Sequence, residues 1–103
     1  MVAQKDAQLA ETERPDLLDA LLALSTRAEA KAFLADICTP GEVRALSERW
    51  LIARLLDEGA LSYRDIADKA QSSTATVVRV ARFLKGMPYQ GYRRILDRLK
   101  RAR

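Results

Sequence analysis

At 103 residues, with 4 Gly, 3 Pro and no low-complexity run, the chain fits one domain, and little of it reads as disordered. Its net charge of +4 conceals an imbalance: Met1 to Val78 carry 9 basic and 13 acidic residues, whereas Arg79 to Arg103 carry 9 basic residues and one acid, Asp97, a distribution that suits a polyanion such as nucleic acid and equally suits solvated helix faces. Histidine, the commonest general base and metal ligand, is absent, so neither an enzyme nor a metal or cofactor site is expected.

The amino end, "MVAQKDAQLAETERPD", lacks a hydrophobic signal core, and no apolar run nears the ~20 residues that span a bilayer. The expectation is a cytoplasmic protein without membrane association. Residues 1–13 read as a flexible segment, with order beginning near Arg14 and residues 14–103 forming a single all-α domain. Helical periodicity dominates throughout, and no alternating β-branched run is bounded by turn residues.

Pro15 can sit in the first turn of an opening helix that carries Leu17, Leu18, Leu21, Leu22 and Leu24. In "STRAE", Thr26 and Glu29 have the spacing of a capping box and open a second helix from about Arg27 to Ile37, with Ala28, Ala32, Phe33 and Ile37 as its apolar side. Cys38, in an apolar stretch, reads as a buried small hydrophobe, and a single thiol allows neither a disulfide framework nor a thiolate cage. In "CTPGE", Thr39 can cap a third helix, Pro40 takes its first position and Glu42 reaches back from the third. That helix should run to about Glu58 and stop at Gly59 in the left-handed conformation. Its apolar residues do not keep to one side. Val43, Leu46, Trp50 and Ala53 form one stripe, Ala45, Ile52 and Leu56 point nearly opposite, and Leu51 and Leu55 lie between. A helix apolar almost all round must be enclosed, by a partner subunit or as the central helix of a monomeric bundle.

Ser62 and Asp65 then open a short helix from Tyr63 to Ala70 with Ile66 and Ala67 inward. After Gln71 and Ser72 another begins, with Val77, Val80, Ala81 and Leu84 inward and Gly86 and Pro88 as its stop. The carboxylate pairs Asp16 with Asp19 and Asp65 with Asp68, at helical spacing, read as solvent-facing. Two short helices across a tight turn make a helix-turn-helix, in which the first braces the second so that its N-terminal end can enter a major groove. An ordinary helical hairpin with a polar outer face has the same pattern. Opposite Val77 lie Ser72, Ala75, Arg79 and Arg82, with Thr74 and Thr76 flanking them and Ser73 at the helix start, where amides favour a phosphate. Short hydroxyls and a methyl can approach base edges, and arginines can reach guanine or phosphate. A last helix follows, with Tyr92, Ile95, Leu96 and Leu99 apolar and Arg93, Arg94, Arg98, Lys100 and Arg101 polar, able both to dock and to attract DNA.

The stretch "CTPGEVRALSERWLIARLLDEGALSYRDIADKAQSSTATVVRVARFLKGMP" resembles the tryptophan-repressor-like family, and "SSTATVVRVARFL" is most similar to its YerC/YecD branch. The "TP.E" cap, the "LL..G.LS.R.I" entry and "ATV..R" are its most specific parts, and the match is ungapped from about Phe33 to Pro88. The resemblance implies a six-helix, all-α subunit in an intertwined homodimer, the first three helices and the last interlocking and the fourth and fifth forming the reading head. It implies a transcriptional regulator, a repressor, that binds double-stranded DNA at a pseudo-palindromic operator. DNA contacts are implied at Arg64, Thr74, Ala75, Thr76, Val78, Arg82 and Lys85, with Arg49 near the backbone. Val78 departs from the family pattern, since an apolar side chain can touch a thymine methyl but cannot hydrogen-bond.

The namesake's corepressor, L-tryptophan, is held at positions that match Thr39, Arg49 and Arg79 here. Val80 stands where that repressor has glycine, and Phe83 where it has the serine that meets the ligand's amino group. Both add bulk, so the slot is expected to be filled by the protein's own side chains and tryptophan is not expected to bind. Gln71 departs too, at a turn position that favours glycine with positive φ. The alternative function is a helix-turn-helix-derived module that binds an acidic protein partner through its basic tail, without sequence-specific DNA binding.

Overall fold

Short polar side chains ahead of each of several helices satisfy amides that the helix itself leaves open, and they set where the helices start. The computed structural model describes residues 16–102, within which all regular structure is helical. Helix α1 spans Leu17–Ala23 and is opened by a capping box that the sequence reading did not identify: Asp19 N–H donates to Asp16 Oδ1 at 3.1 Å and Asp16 N–H donates to Asp19 Oδ2 at 2.9 Å. These bonds hold the Asp16 carboxyl below its ordinary range, chiefly the one from the Asp19 amide. Pro15, read as a first-turn residue, and the segment 1–13 lie outside the described residues.

Helix α2, Arg27–Ile37, starts as expected, with Glu29 N–H donating to Thr26 Oγ1 at 3.0 Å. The reciprocal bond differs in one detail, because the Glu29 carboxylate accepts from Ser25 N–H at 2.9 Å, one residue earlier than the predicted box requires. Helix α3 covers Pro40–Glu58 and stops at Gly59, whose φ of +74° is the left-handed conformation anticipated for it. Helix α4 is Tyr63–Ala70, α5 is Thr74–Lys85 and α6 is Gly91–Arg101. Gly86 follows α5 where the sequence places the stop, though at φ −125°, so that helix ends without a left-handed residue. The left-handed turn falls instead on Gln90, at φ 56° ahead of α6, with its side-chain amide donating to the Met87 carbonyl.

The helices divide into two compact units, α1 with α2 before Pro40 and α3 to α6 from Pro40 onward. Neither α1 nor α2 has a buried residue, and Leu17, Leu18, Leu21, Leu22 and Ile37 are exposed, Leu22 by 84%. Of the predicted apolar side of α2, only Phe33 is half-buried, and Cys38 is half-buried rather than enclosed.

In the second unit, α5 packs against α3, α4 and α6, and α3 packs against α4. The core gathers Ile52, Ala53 and Leu55 of α3, Ile66, Ala67 and Ala70 of α4, Val77, Val80 and Leu84 of α5 and Leu96 of α6. Ile52, Ile66, Val77 and Val80 are at most 1% exposed. Burial on α3 is confined to its second half, and Leu46 in the first half remains 44% exposed.

Helix α6 is held to the end of α3 by charge and by ring stacking as well as by Leu96. Arg93 donates to Asp57 at 2.7 Å and to Asp97 at 2.6 Å, and Lys100 meets the other Asp57 oxygen at 2.6 Å. The rings of Trp50 and Tyr92 stack with centroids 6.5 Å apart. Arg93 and Lys100, read from the sequence as cations available to DNA, are therefore engaged within the protein. The Asp57 side chain is only 10% exposed, and hydrogen bonds from Arg93 and then Lys100 lower its carboxyl from 3.8 to about 2. Asp97 is also held below its usual range, chiefly by its bond from Arg93, but it is 46% exposed, where water screens the pair.

Asp57→Ala is thus expected to lower the melting temperature by about 5–10 °C and Asp97→Ala by only a few degrees, as thermal unfolding followed by circular dichroism would register. Because the folded carboxyl is depressed, its stabilising contribution is complete above pH 4 and fades as pH falls from 3.8 toward about 2. The wild type should lose stability across that window more steeply than Asp57→Asn.

Candidate nucleic-acid interface

The three residues between α4 and α5 decide how the two helices are presented. Ser62 caps α4, its Oγ accepting from Asp65 N–H at 3.1 Å. At the other end Gln71 takes φ 54° and ψ 46°, so Ser72 N–H reaches back to the Ala67 carbonyl at 2.9 Å and Gln71 N–H reaches the Asp68 carbonyl at 3.2 Å. These paired bonds are those of a Schellman motif, with glutamine where glycine is usual. They close α4 abruptly and let Ser73 start α5 two residues later. Ser73 Oγ accepts from Thr76 N–H at 3.1 Å and shares a hydrogen bond with Thr76 Oγ1 at 3.0 Å.

Val77, Val80, Ala81 and Leu84 are buried along one side of α5. At about 100° per residue, the opposite side must then carry Ala75, Val78, Arg79 and Arg82. All four are exposed, or, for Val78, 45% exposed, and Thr74 and Lys85 lie beside them. Ala75, Val78 and Arg82, spaced i, i+3 and i+7, form one stripe that is apolar at the N-terminal end of the helix and cationic toward its C-terminal end.

The other predicted contact residues are distributed around this stripe. Arg64 is exposed on α4, Arg49 is half-buried on α3, and Ser72 and Thr76 are half-buried. Ser73 is exposed, but its hydroxyl is engaged in the cap. Lys69, exposed in the last turn of α4 directly before the Gln71 turn, is absent from the set read from the sequence, although a basic residue at that point was a usable signal.

Of the residues matched to a corepressor slot, Val80 lies in the core at 1% exposure, and the Arg79 guanidinium sits over the Phe83 ring, 4.9 Å from its centroid. Arg79 is therefore not an unengaged cation. Thr39 is exposed at the end of the first unit. A shallow groove of about 130 Å³ is lined by Trp50, Arg54, Asp57, Glu58, Leu96, Leu99 and Lys100, none of them a corepressor-matched position. Among the described residues no group of three or more His, Cys, Asp or Glu side chains could hold a metal ion, and no helix is long and apolar enough to cross a membrane.

An all-α chain whose fourth and fifth helices form a helix-turn-helix, with a cationic outer side on the second of them, defines the class of protein. Comparison with known sequences and structures gives the family. Residues 13–100 match the family model of the Trp repressor protein. The chain is 36% identical over 88 residues to the uncharacterized protein YerC of Bacillus subtilis, spanning 85% of this chain and 83% of that one. It also superimposes on the crystal structure of a TrpR-like protein from Eubacterium eligens with a TM-score of 0.78 and 38% identity, covering 91% of this chain and 95% of the other. The chain belongs to the Trp repressor family.

The left-handed glutamine makes the turn a test of the local geometry. Gln71→Gly should raise stability by about 0.5–1 kcal/mol, since relief of the positive φ outweighs the extra freedom glycine gains when unfolded. Denaturant titration would show it as a higher midpoint at constant slope.

Proposed function

We propose that the chain is a sequence-specific DNA-binding regulator of transcription, a repressor, acting as a homodimer that does not respond to tryptophan. In this reading residues 14–103 serve as one dimerisation and DNA-binding domain. The observation that carries it is the outward stripe of α5: a helix braced by α4, buried on one side, and presenting Ala75, Val78, Arg82 and Lys85 on the other. Family membership agrees with this reading.

Dimerisation is supported by the apolar surface that one chain leaves open. Leu17, Leu18, Leu21 and Leu22 on α1, Leu46 on α3, and Ile95 and Leu99 on α6 are each at least 42% exposed. The four leucines on the seven-residue α1 are the densest part of this surface, and monomeric proteins rarely expose large contiguous apolar patches. Two copies related by a twofold axis would place two α5 helices in successive major grooves, about 34 Å apart.

The absence of a tryptophan response rests on the occupants of the matched positions. At these positions Val80 belongs to the core, and the Arg79 guanidinium lies over the Phe83 ring. Calorimetric titration with L-tryptophan should give only heats of dilution up to millimolar concentrations; a saturable isotherm would contradict this part of the reading.

Fluorescence anisotropy tests the whole. The protein should sediment at twice its 11.5 kDa chain mass and bind a duplex selected from random sequence, with affinity falling steeply as salt rises. Arg82→Ala should cost about 1–3 kcal/mol on the selected duplex and less on a scrambled one, whereas Lys85→Ala should weaken both alike and flatten the salt dependence by about one charge. Wild-type affinity for both duplexes in both variants would contradict the assignment. Capture of an acidic protein with no salt-dependent DNA binding would favour an interaction module instead.

A further inference from the structure

Resting on the DNA-binding reading above, we propose that α5 recognises the C5 methyl groups of thymines, through an apolar contact made by Ala75 and Val78 at the leading end of the helix. The inference follows from which groups in the first turns of α5 remain available. Two hydroxyls that could have read base edges are already engaged, since Ser73 Oγ takes the Thr76 amide at 3.1 Å and shares a hydrogen bond with Thr76 Oγ1 at 3.0 Å. The Thr76 side chain is in addition half-buried. Arg79, the first cation along the helix, lies over the Phe83 ring, on the flank away from Val78.

On the flank of α5 away from Phe83, what faces outward between Thr74 and Arg82 is therefore chiefly methyl groups, with the exposed Arg79 on the other flank. Ala75 is exposed and Val78 is 45% exposed, and the i, i+3 spacing puts their side chains side by side, with Thr74 adjoining Val78 at i, i+4. In the major groove the one unmodified base that displays a methyl group is thymine. A valine brought against the polar edge of another base would strip its water without supplying a hydrogen bond, so mismatches are rejected as well as matches favoured. Arg82 and Lys85, further along the same side, supply the charge that holds this apolar end against a polyanion. Charge complementarity thus selects a duplex as the occupant of the surface, and the methyl patch adds a preference for thymine among the bases within it.

Deoxyuridine differs from thymidine only by that methyl, which makes the proposal separable from general DNA binding. On an operator obtained by selection from random duplexes, each thymine is replaced in turn by deoxyuridine, and affinity is measured by anisotropy for the wild type and for Val78→Ala and Val78→Thr. Loss of one buried methyl predicts an affinity about threefold to fivefold lower at one or two thymines in each half-site for the wild type. Val78→Ala should bind the unmodified operator more weakly by a similar factor and be nearly indifferent to deoxyuridine at those same positions. Val78→Thr, which keeps the side-chain shape, should fall between the two. Selective binding by the wild type with no sensitivity to any replacement would overturn the proposal while leaving the DNA-binding reading intact. The same sensitivity in Val78→Ala as in the wild type would remove Val78 from it. Failure to bind any duplex selectively would overturn both.

Discussion

One side of α5 is committed to the interior, where Val77 and Val80 are at most 1% exposed within a cluster that also holds Ile52 of α3 and Ile66 of α4. An α-helix is rigid in the sense that matters here: fixing which residues point inward also fixes which point outward. Rotating the helix far enough to hide Arg82 would drag Val77 and Leu84 into water, and fully exposing a side chain of that size costs about 1.5–3 kcal/mol. The outer stripe is thus maintained by apolar burial on the far side of the helix, with no need for a polar network of its own. The Schellman turn at Gln71 and the Ser73 cap set the starting point of α5, and the core sets its rotation.

Charge has a more divided part than the composition implies. The basic excess beyond Val78 suggests a uniform cationic surface, but Arg93 and Lys100 are held by Asp57 and serve to fasten α6 to the end of α3. Arg79 is drawn onto Phe83. Arg82 and Lys85 are exposed beyond the apolar end of the stripe. On the proposed reading, position along the helix would therefore divide apolar contact at its leading end from cationic contact beyond it.

The starts of α2, α3 and α4 were legible in the sequence because each is a local event: Thr26 with Glu29, Pro40, and Ser62 with Asp65 all act within one turn. The inward residues of α4 and α5 were legible for the same reason, since periodicity alone identifies Ile66, Ala67, Val77, Val80, Ala81 and Leu84. What escaped reading depends on partners distant in sequence or on backbone choices open to any residue. Arg93 finds Asp57 across 36 positions, and no local pattern marks the pair. The left-handed residue before α6 is Gln90 although Gly91 stands beside it. The uneven burial of α3 was half legible: its all-round apolar pattern signals enclosure, but pattern cannot say which stretch is covered within one chain.

Val80 connects the scaffold to the manner of control. A ligand shifts a conformational equilibrium only to the extent that it binds one state better than another. On the proposed reading, the position matched to a ligand slot is occupied by a core side chain, so the orientation of α5 is governed by the free energy of folding and leaves no vacancy for an effector to fill. The same contact that steadies the helix would thereby leave tryptophan no purchase on it. On that reading DNA binding would follow folding and pairing alone, and occupancy of its sites would follow the protein's concentration and its assembly into dimers, for which the exposed leucines of α1 offer an apolar surface.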